Sequence, residues 1–274
     1  MCDMGRRSLL LGLGTAVSAL AANRRALAQT AAPATAGPPD PALVEDLVAA
    51  NRILADQGVV DGYGHVSVRH HSAPDRFLMS RSIAPELVTA ADIMEYDLDS
   101  RPVDPRGRVS YLERFIHGEI YRARPDVKAV VHDHSPSVIP FGVTGAPLRP
   151  LYHMSAFLGR GVPVFDIRQA SGAMTDMLVR DAALGQALAR VLGAASVALM
   201  RGHGVVVVGP SLPVAVFRAV YTEVNARLQA QAMALGGPVT YLDAEEARRA
   251  EASVGGTVTR PWDLWKRKVQ TQGR

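Results

Sequence analysis

The stretch Glu113–His134 reads E-R-F-I-H-G-E-I-Y-R-A-R-P-D-V-K-A-V-V-H-D-H. Its first half has helical spacing: Leu112, Phe115, Ile116 and Ile120 recur at steps of three and four. Arg124-Pro125-Asp126 closes that helix, because a proline ring crowds helical geometry in the residue before it. Val127–His132 then reads as a short β-branched strand. His132 and His134 are two apart, so on an extended chain both imidazoles leave the same face. Two imidazoles on one face suit a shared metal ion. Glu113, in the first turn of the helix, offers an oxygen ligand, and Asp133 is placed to support the imidazoles. A third imidazole has to come from elsewhere, and His203 in Gly202-His203-Gly204 is the best candidate. By itself His-x-His is equally compatible with two hydrogen-bonded histidines at a strand end.

The surrounding sequence makes one α/β domain. Pro41–Gln57 is an amphipathic helix with Leu43, Leu47, Ile53 and Leu54 inward, Asp40 as N-cap and Gly58 as its stop. Strands are predicted at His65–Arg69, Arg76–Ser80 and Ile93–Leu98, with a short helix at Ser135–Phe141. A strand follows at Val162–Phe165, then a helix at Thr175–Leu192. Val197–Met200 and Val205–Val208 are strands flanking His203. Ser211 and Pro213 open a long helix to Leu235, and Asp243 caps a polar one. Short strands interleaved with helices give an α/β fold.

Composition narrows the function classes. With 274 residues and 48% hydrophobic content, the chain can bury a substantial core. Of the formal charge of +4, Arg6, Arg7, Arg24, Arg25 and Asp3 carry +3, so the body is close to neutral. A near-neutral body lacks the basic face of a nucleic-acid binder. The single cysteine is Cys2, which leaves no disulfide or thiolate site beyond the leader.

That leader, residues 1–28, has the charged start and short apolar run of a signal peptide, and Ala26-Leu27-Ala28 fits a cleavage site. Arg6-Arg7 ahead of Ser8-Leu9-Leu10 resembles a bacterial twin-arginine signal. A periplasmic or exported protein is expected, with no stable membrane insertion after cleavage. An uncleaved anchor is the alternative. Residues 29–40 read as a flexible Ala/Pro/Thr spacer, 41–242 as the domain, and 243–274 as a C-terminal helical tail.

Several motifs occur in a fixed order: Gly64-x-x-Ser67-x-Arg69, Leu87-Val88-Thr89-x-x-Asp92-Ile93, Glu113, Arg124-Pro125-Asp126 with Ala129-Val130-Val131-His132-x-His134, and His203-Gly204. In this the chain resembles the class II aldolase/adducin family over about residues 42–242. The resemblance implies a three-layer α/β/α domain around a mostly antiparallel sheet. It also implies a homotetramer with sites at subunit interfaces. One divalent metal ion per subunit is implied on Glu113, His132, His134 and His203, manganese being favoured and zinc the alternative.

Departures from the sugar-phosphate aldolases set the expected substrate. His65 replaces a phosphate-binding Asn, and Arg81-Ser82 replaces Ser-Gly. A guanidinium fork suits a planar carboxylate. The aldolase tyrosine near the metal aligns with His153, and an imidazole transfers protons readily near neutral pH. These features resemble the decarboxylase branch that acts on 3-hydroxy-2-methylpyridine-4,5-dicarboxylate, and dihydroxyphthalate decarboxylases are similar. The expected activity is a metal-dependent decarboxylase of a hydroxylated aromatic or pyridine dicarboxylate. Glu113 and His153 are its catalytic candidates, and His65, Ser67, Arg81 and Ser82 its substrate contacts. An aldolase for a non-phosphorylated hydroxy-keto acid and a non-catalytic adducin-like module are the alternatives. For Arg81 a surface ion pair, and for His153 a satisfied structural role, remain open readings.

Overall fold

The computed structural model of the chain describes residues 32–272. The leader and the first residues of the expected spacer lie outside the described residues. Residues 32–40 carry no helix or strand, and the Ala36 amide donates to Glu95 at 2.8 Å.

Helix α1 (Pro41–Asp56) starts where the sequence predicts, with the Asp40 side chain accepting from the Ala42 amide. Strands β1 (His65–Arg69), β2 (Arg76–Ser80) and β3 (Ile93–Asp97) follow as an antiparallel meander. A 3₁₀ turn at Leu112–Arg114 holds Glu113 and leads into α2 (Phe115–Ala123). Arg124 ends that helix in extended geometry, at φ −130 and ψ 83, as the following proline requires. Then come β4 (Ala129–Asp133), α3 (Ile139–Val143), a 3₁₀ segment at His153–Arg160, β5 (Val164–Phe165) and α4 (Arg168–Ser171). Helix α5 (Ala182–Leu192), β6 (Val197–Met200), β7 (Gly204–Gly209), α6 (Leu212–Ala234), α7 (Ala244–Gly255) and α8 (Thr259–Gln272) complete the chain.

The strands form one sheet in the order β3-β2-β1-β4-β7-β6-β5, antiparallel except where β5 meets β6. Strand alternation sends neighbouring residues to opposite faces. Val131, Val205 and Val207 pack with Leu47 and Phe217 under α1 and α6. Val130, Val206 and Val208 pack with Ile116, Ile120 and Leu188 under α2 and α5. The result is the expected three-layer α/β/α arrangement. Covering both faces explains the unbroken valine run Val205–Val208, since neither face of β7 needs a polar residue. Each such fully buried side chain contributes roughly 1.5–3 kcal/mol.

The C-terminal helices fold back onto this body. Helix α7 packs on His153–Arg160 and α8 on α1 and α6, burying Trp262 and Trp265. No helix among the described residues is long and apolar enough to cross a membrane.

One predicted helix is shorter than expected. Helical structure begins at Ala182, not Thr175, because the Asp181 side chain accepts from the Leu184 amide and caps the helix there. Upstream, Met177 sits at φ 74, outside helical geometry, and its backbone neighbours serve the centre described next.

Candidate metal centre

Strand pairing collects the candidate ligands at one end of the sheet. His65 at the start of β1 pairs with His132 near the end of β4, and His132 pairs with Val206 in β7. His134 lies just past β4, and His203 occupies the turn between β6 and β7. Glu113 reaches the same point from its 3₁₀ turn. Glu113, His132, His134 and His203 each offer one ligand atom, all within 4.8 Å of one another.

The spacing fits a single ion. Glu113 Oε2 is 3.5 Å from His132 Nε2 and 3.4 Å from His203 Nε2. His134 Nε2 is 3.1 Å from His203 Nε2. Two donors about 2.0–2.1 Å from a shared ion stand roughly 3.3 Å apart in a tetrahedral site.

The backbone presets the lone pairs. His132 Nδ1–H donates to the Val205 carbonyl at 3.1 Å, and His203 Nδ1–H donates to the Met177 carbonyl at 2.8 Å. A carbonyl can only accept, so both protons sit on Nδ1 and both Nε2 lone pairs face inward. His132 Nε2 is buried with no hydrogen-bond partner. Leaving a buried acceptor unpaired costs about 1–3 kcal/mol, and a cation removes that cost. Three imidazoles and a carboxylate, without a thiolate, suit manganese, zinc, iron or cobalt.

Electrostatics agree with that use. Burial opposes ionisation of Glu113, but the adjacent His132 and His203 imidazoles outweigh it and hold the carboxyl well below its usual range. Its other oxygen accepts the Val179 amide at 2.9 Å. Burial, then the neighbouring His132 and His203, pulls His134 down to about 4, so it is neutral at neutral pH, as a ligand must be. Asp133 departs from expectation. Its carboxylate accepts from the Ser135 amide at 3.0 Å and hydroxyl at 2.5 Å instead of supporting an imidazole, and burial pushes it up to about 7.

Beside the cluster lies a cavity of about 320 Å³ lined by Gly64, His65, Ser82, Tyr111, Glu113 and His134, among others. Gly64 has φ +93, and a Cβ there would meet Val60 Cγ1 at 2.6 Å and the His132 carbonyl at 3.0 Å, so only glycine fits. His65 and Ser82, two of the expected substrate contacts, line this cavity.

Three other candidates do not reach this cavity. Ser67 is fully buried beneath it, bonded to His117 and Tyr121. Arg81 Nε is 2.5 Å from the buried Asp92, whose carboxylate is oriented by the Thr89 capping box, so Arg81 is engaged in an ion pair outside the cavity. His153 is exposed and lines a separate cavity with Phe157 and Phe217.

The sequence reading missed four participants. His117, one helical turn after Glu113, touches His65 at 2.7 Å, and its spacing was the available signal. Tyr111 places its ring 4.6 Å from that of His65. The Val179 amide and Met177 carbonyl are backbone groups, which side-chain identity does not announce.

The chain is 40% identical to the decarboxylase tropJ of Talaromyces stipitatus over 252 residues, 84% of this chain and 95% of that one. It is 32% identical to the 3,4-dihydroxyphthalate decarboxylase of Arthrobacter keyseri over 215 residues, 72% of this chain and 82% of that one. In solved structures, an aldolase II superfamily protein from Pseudomonas syringae shares the fold with a TM-score of 0.72 at 24% identity, covering 86% of this chain and 95% of that one. Residues 45–230 match the model of the class II aldolase and adducin N-terminal domain. With two-thirds of its length in that match and the Glu/His cluster on the expected strand ends, the chain belongs to the class II aldolase/adducin family.

Proposed function

We propose that this protein is a metal-dependent decarboxylase of a hydroxylated aromatic or pyridine dicarboxylate. The observation that carries the reading is the pair of preset imidazoles: His132 and His203 both turn Nε2 lone pairs toward Glu113, with His132 Nε2 lacking any partner. Its likeness to tropJ and to 3,4-dihydroxyphthalate decarboxylases supports the reaction class. A divalent ion, manganese first and zinc second, would supply Lewis acidity for the electron density left on the ring as carbon dioxide departs.

The chain's own residues supply the rest. His65 and Ser82 line the cavity next to Glu113 and are placed to hold the carboxylate that stays. Glu113 stays ionised against the Val179 amide, so it binds as an anion and does not deliver a proton. Tyr63 and Leu112 line the cavity while remaining 72% and 49% exposed, an apolar rim that a second copy of the chain would cover. A homo-oligomer, with a tetramer as the expected form, would let His153 of one copy serve as proton donor at another's centre.

The test is a turnover screen with manganese-loaded and zinc-loaded protein over hydroxylated aromatic dicarboxylates and hydroxy-keto acids. Carbon dioxide release from the former supports the reading. Pyruvate release from the latter, with no decarboxylation, replaces it by an aldolase.

A further inference from the structure

Beneath the cavity, four side chains form one buried hydrogen-bonded line. His65 Nδ1 is 2.7 Å from His117 Nε2, His117 Nδ1 is 2.6 Å from Ser67 Oγ, and Ser67 Oγ is 2.8 Å from the Tyr121 hydroxyl. His117 and Ser67 are fully buried and Tyr121 nearly so. The metal cluster uses none of these three.

Each link in such a line carries one proton, so the direction of one link fixes all of them. The closed end decides it. The phenol proton of Tyr121 needs an acceptor, and Ser67 Oγ is the only side-chain partner of that hydroxyl among the described residues. If Ser67 donated to Tyr121, the phenol proton would be stranded in the core, and buried tyrosine hydroxyls are nearly always paired. Tyr121 therefore donates to Ser67, and Ser67 donates to His117 Nδ1. His117 must then carry its proton on Nε2 and donate it to His65 Nδ1. The remaining proton of His65 is on Nε2. That atom has no protein partner among the described residues, and His65 lines the cavity.

We propose that Tyr121, Ser67 and His117 are positioning residues that fix His65 as the Nε2–H tautomer, a neutral donor presented to an anionic carboxylate oxygen of the substrate beside the metal centre. The opposite tautomer would set a lone pair against that oxygen and repel it. The carboxylate partner rests on the decarboxylase reading above, whereas the tautomer rests on the hydrogen-bonded line alone. Ser67 thus acts on substrate recognition without touching substrate.

The test is long-range 1H–15N NMR of the zinc-loaded protein with histidine-selective 15N labelling, His65→Gln assigning the signal. The expected spectrum shows His65 protonated on Nε2 and unprotonated on Nδ1; protonation on Nδ1 overturns the proposal. Ser67→Ala cuts the line with little change of volume. It is expected to turn His65 into a mixture of tautomers and to lower kcat/KM about tenfold, mainly through KM, at full zinc occupancy. An unchanged tautomer in that variant overturns the relay, and an unchanged KM beside a changed tautomer overturns the recognition role. If the wild-type protein turns over no aromatic acid while the expected spectrum stands, the decarboxylase reading falls and the tautomer assignment holds.

Discussion

Replacing His132 by Ala should uncouple thermal stability from metal. His132 is fully buried, and its Nε2 faces Glu113 Oε2 at 3.5 Å with no other partner. A ligand that binds only the folded chain stabilises it by about 2.7 kcal/mol at a hundred times its Kd. For a chain of this size, each kcal/mol moves Tm by roughly 2–4 °C, so manganese or zinc at that level should raise Tm by about 5–10 °C. Losing even an outer-shell partner weakens metal sites about 10–100-fold, and His132 would be a direct ligand. At a hundredfold weaker affinity the same metal concentration only matches the Kd, and the increment falls to roughly 0.4 kcal/mol, about 1 °C. Truncating a buried ring lowers the baseline as well, so the quantity to compare is the metal-induced increment within each protein. Differential scanning fluorimetry after chelation and metal titration measures it, with elemental analysis giving stoichiometry. A wild-type Tm indifferent to both metals, or an equal increment in His132→Ala, would refute the assignment of the cluster.

Arg81→Ala should change kcat/KM on a dicarboxylate by less than about threefold, because its guanidinium is held by the buried Asp92 carboxylate and does not line the cavity; a hundredfold loss would return Arg81 to the cavity. Gly204→Ala puts a Cβ 2.1 Å from the Asp133 carbonyl and 3.1 Å from His134 Cδ2. About 1–3 kcal/mol of lost stability and reduced metal stoichiometry are expected, and wild-type values for both would show that the strand end yields freely. Co-expression of His132→Ala with His153→Ala, each inactive alone, should restore part of the activity if His153 acts across subunits; an inactive mixture removes that role. Arg6→Lys with Arg7→Lys should keep the precursor in the cytoplasm, and a mature periplasmic form would count against a twin-arginine signal.

The clustering of Glu113, His132, His134 and His203 was legible because strand chemistry determines where a residue goes. A β-branched run ending in His-x-His, and a Gly-flanked histidine between two apolar strands, can only meet at strand ends once β4 pairs with β7. The amphipathic helices were legible through period and caps, as at Asp40 and Ser211. Substrate residues were harder, because a polar side chain chooses among partners that lie far apart in sequence. Arg81 illustrates this: the Thr89-x-x-Asp92 motif, a family marker in the sequence, folds into a capping box that presents Asp92 to the guanidinium. Ser67 likewise sits on β1 in register with Val130, and the line from His65 to Tyr121 engages it under the cavity floor.

The segment before α5 fails for a different reason, which also explains how the centre keeps its geometry. Its side chains permit a helix over residues 175–181. A helix there would engage the Met177 carbonyl and Val179 amide in its own ladder. The centre needs both groups free: one to hold the His203 tautomer, the other to hold Glu113. The Asp181 cap stops the helix short, and the positive φ at Met177 is maintained by those bonds. Local preference is overridden here by the desolvated polar atoms of the site, whose unmet hydrogen bonds would each cost more than a few residues of helix propensity. The same backbone groups make the imidazole lone pairs converge, so the chain's own folding supplies an arrangement that suits a metal ion.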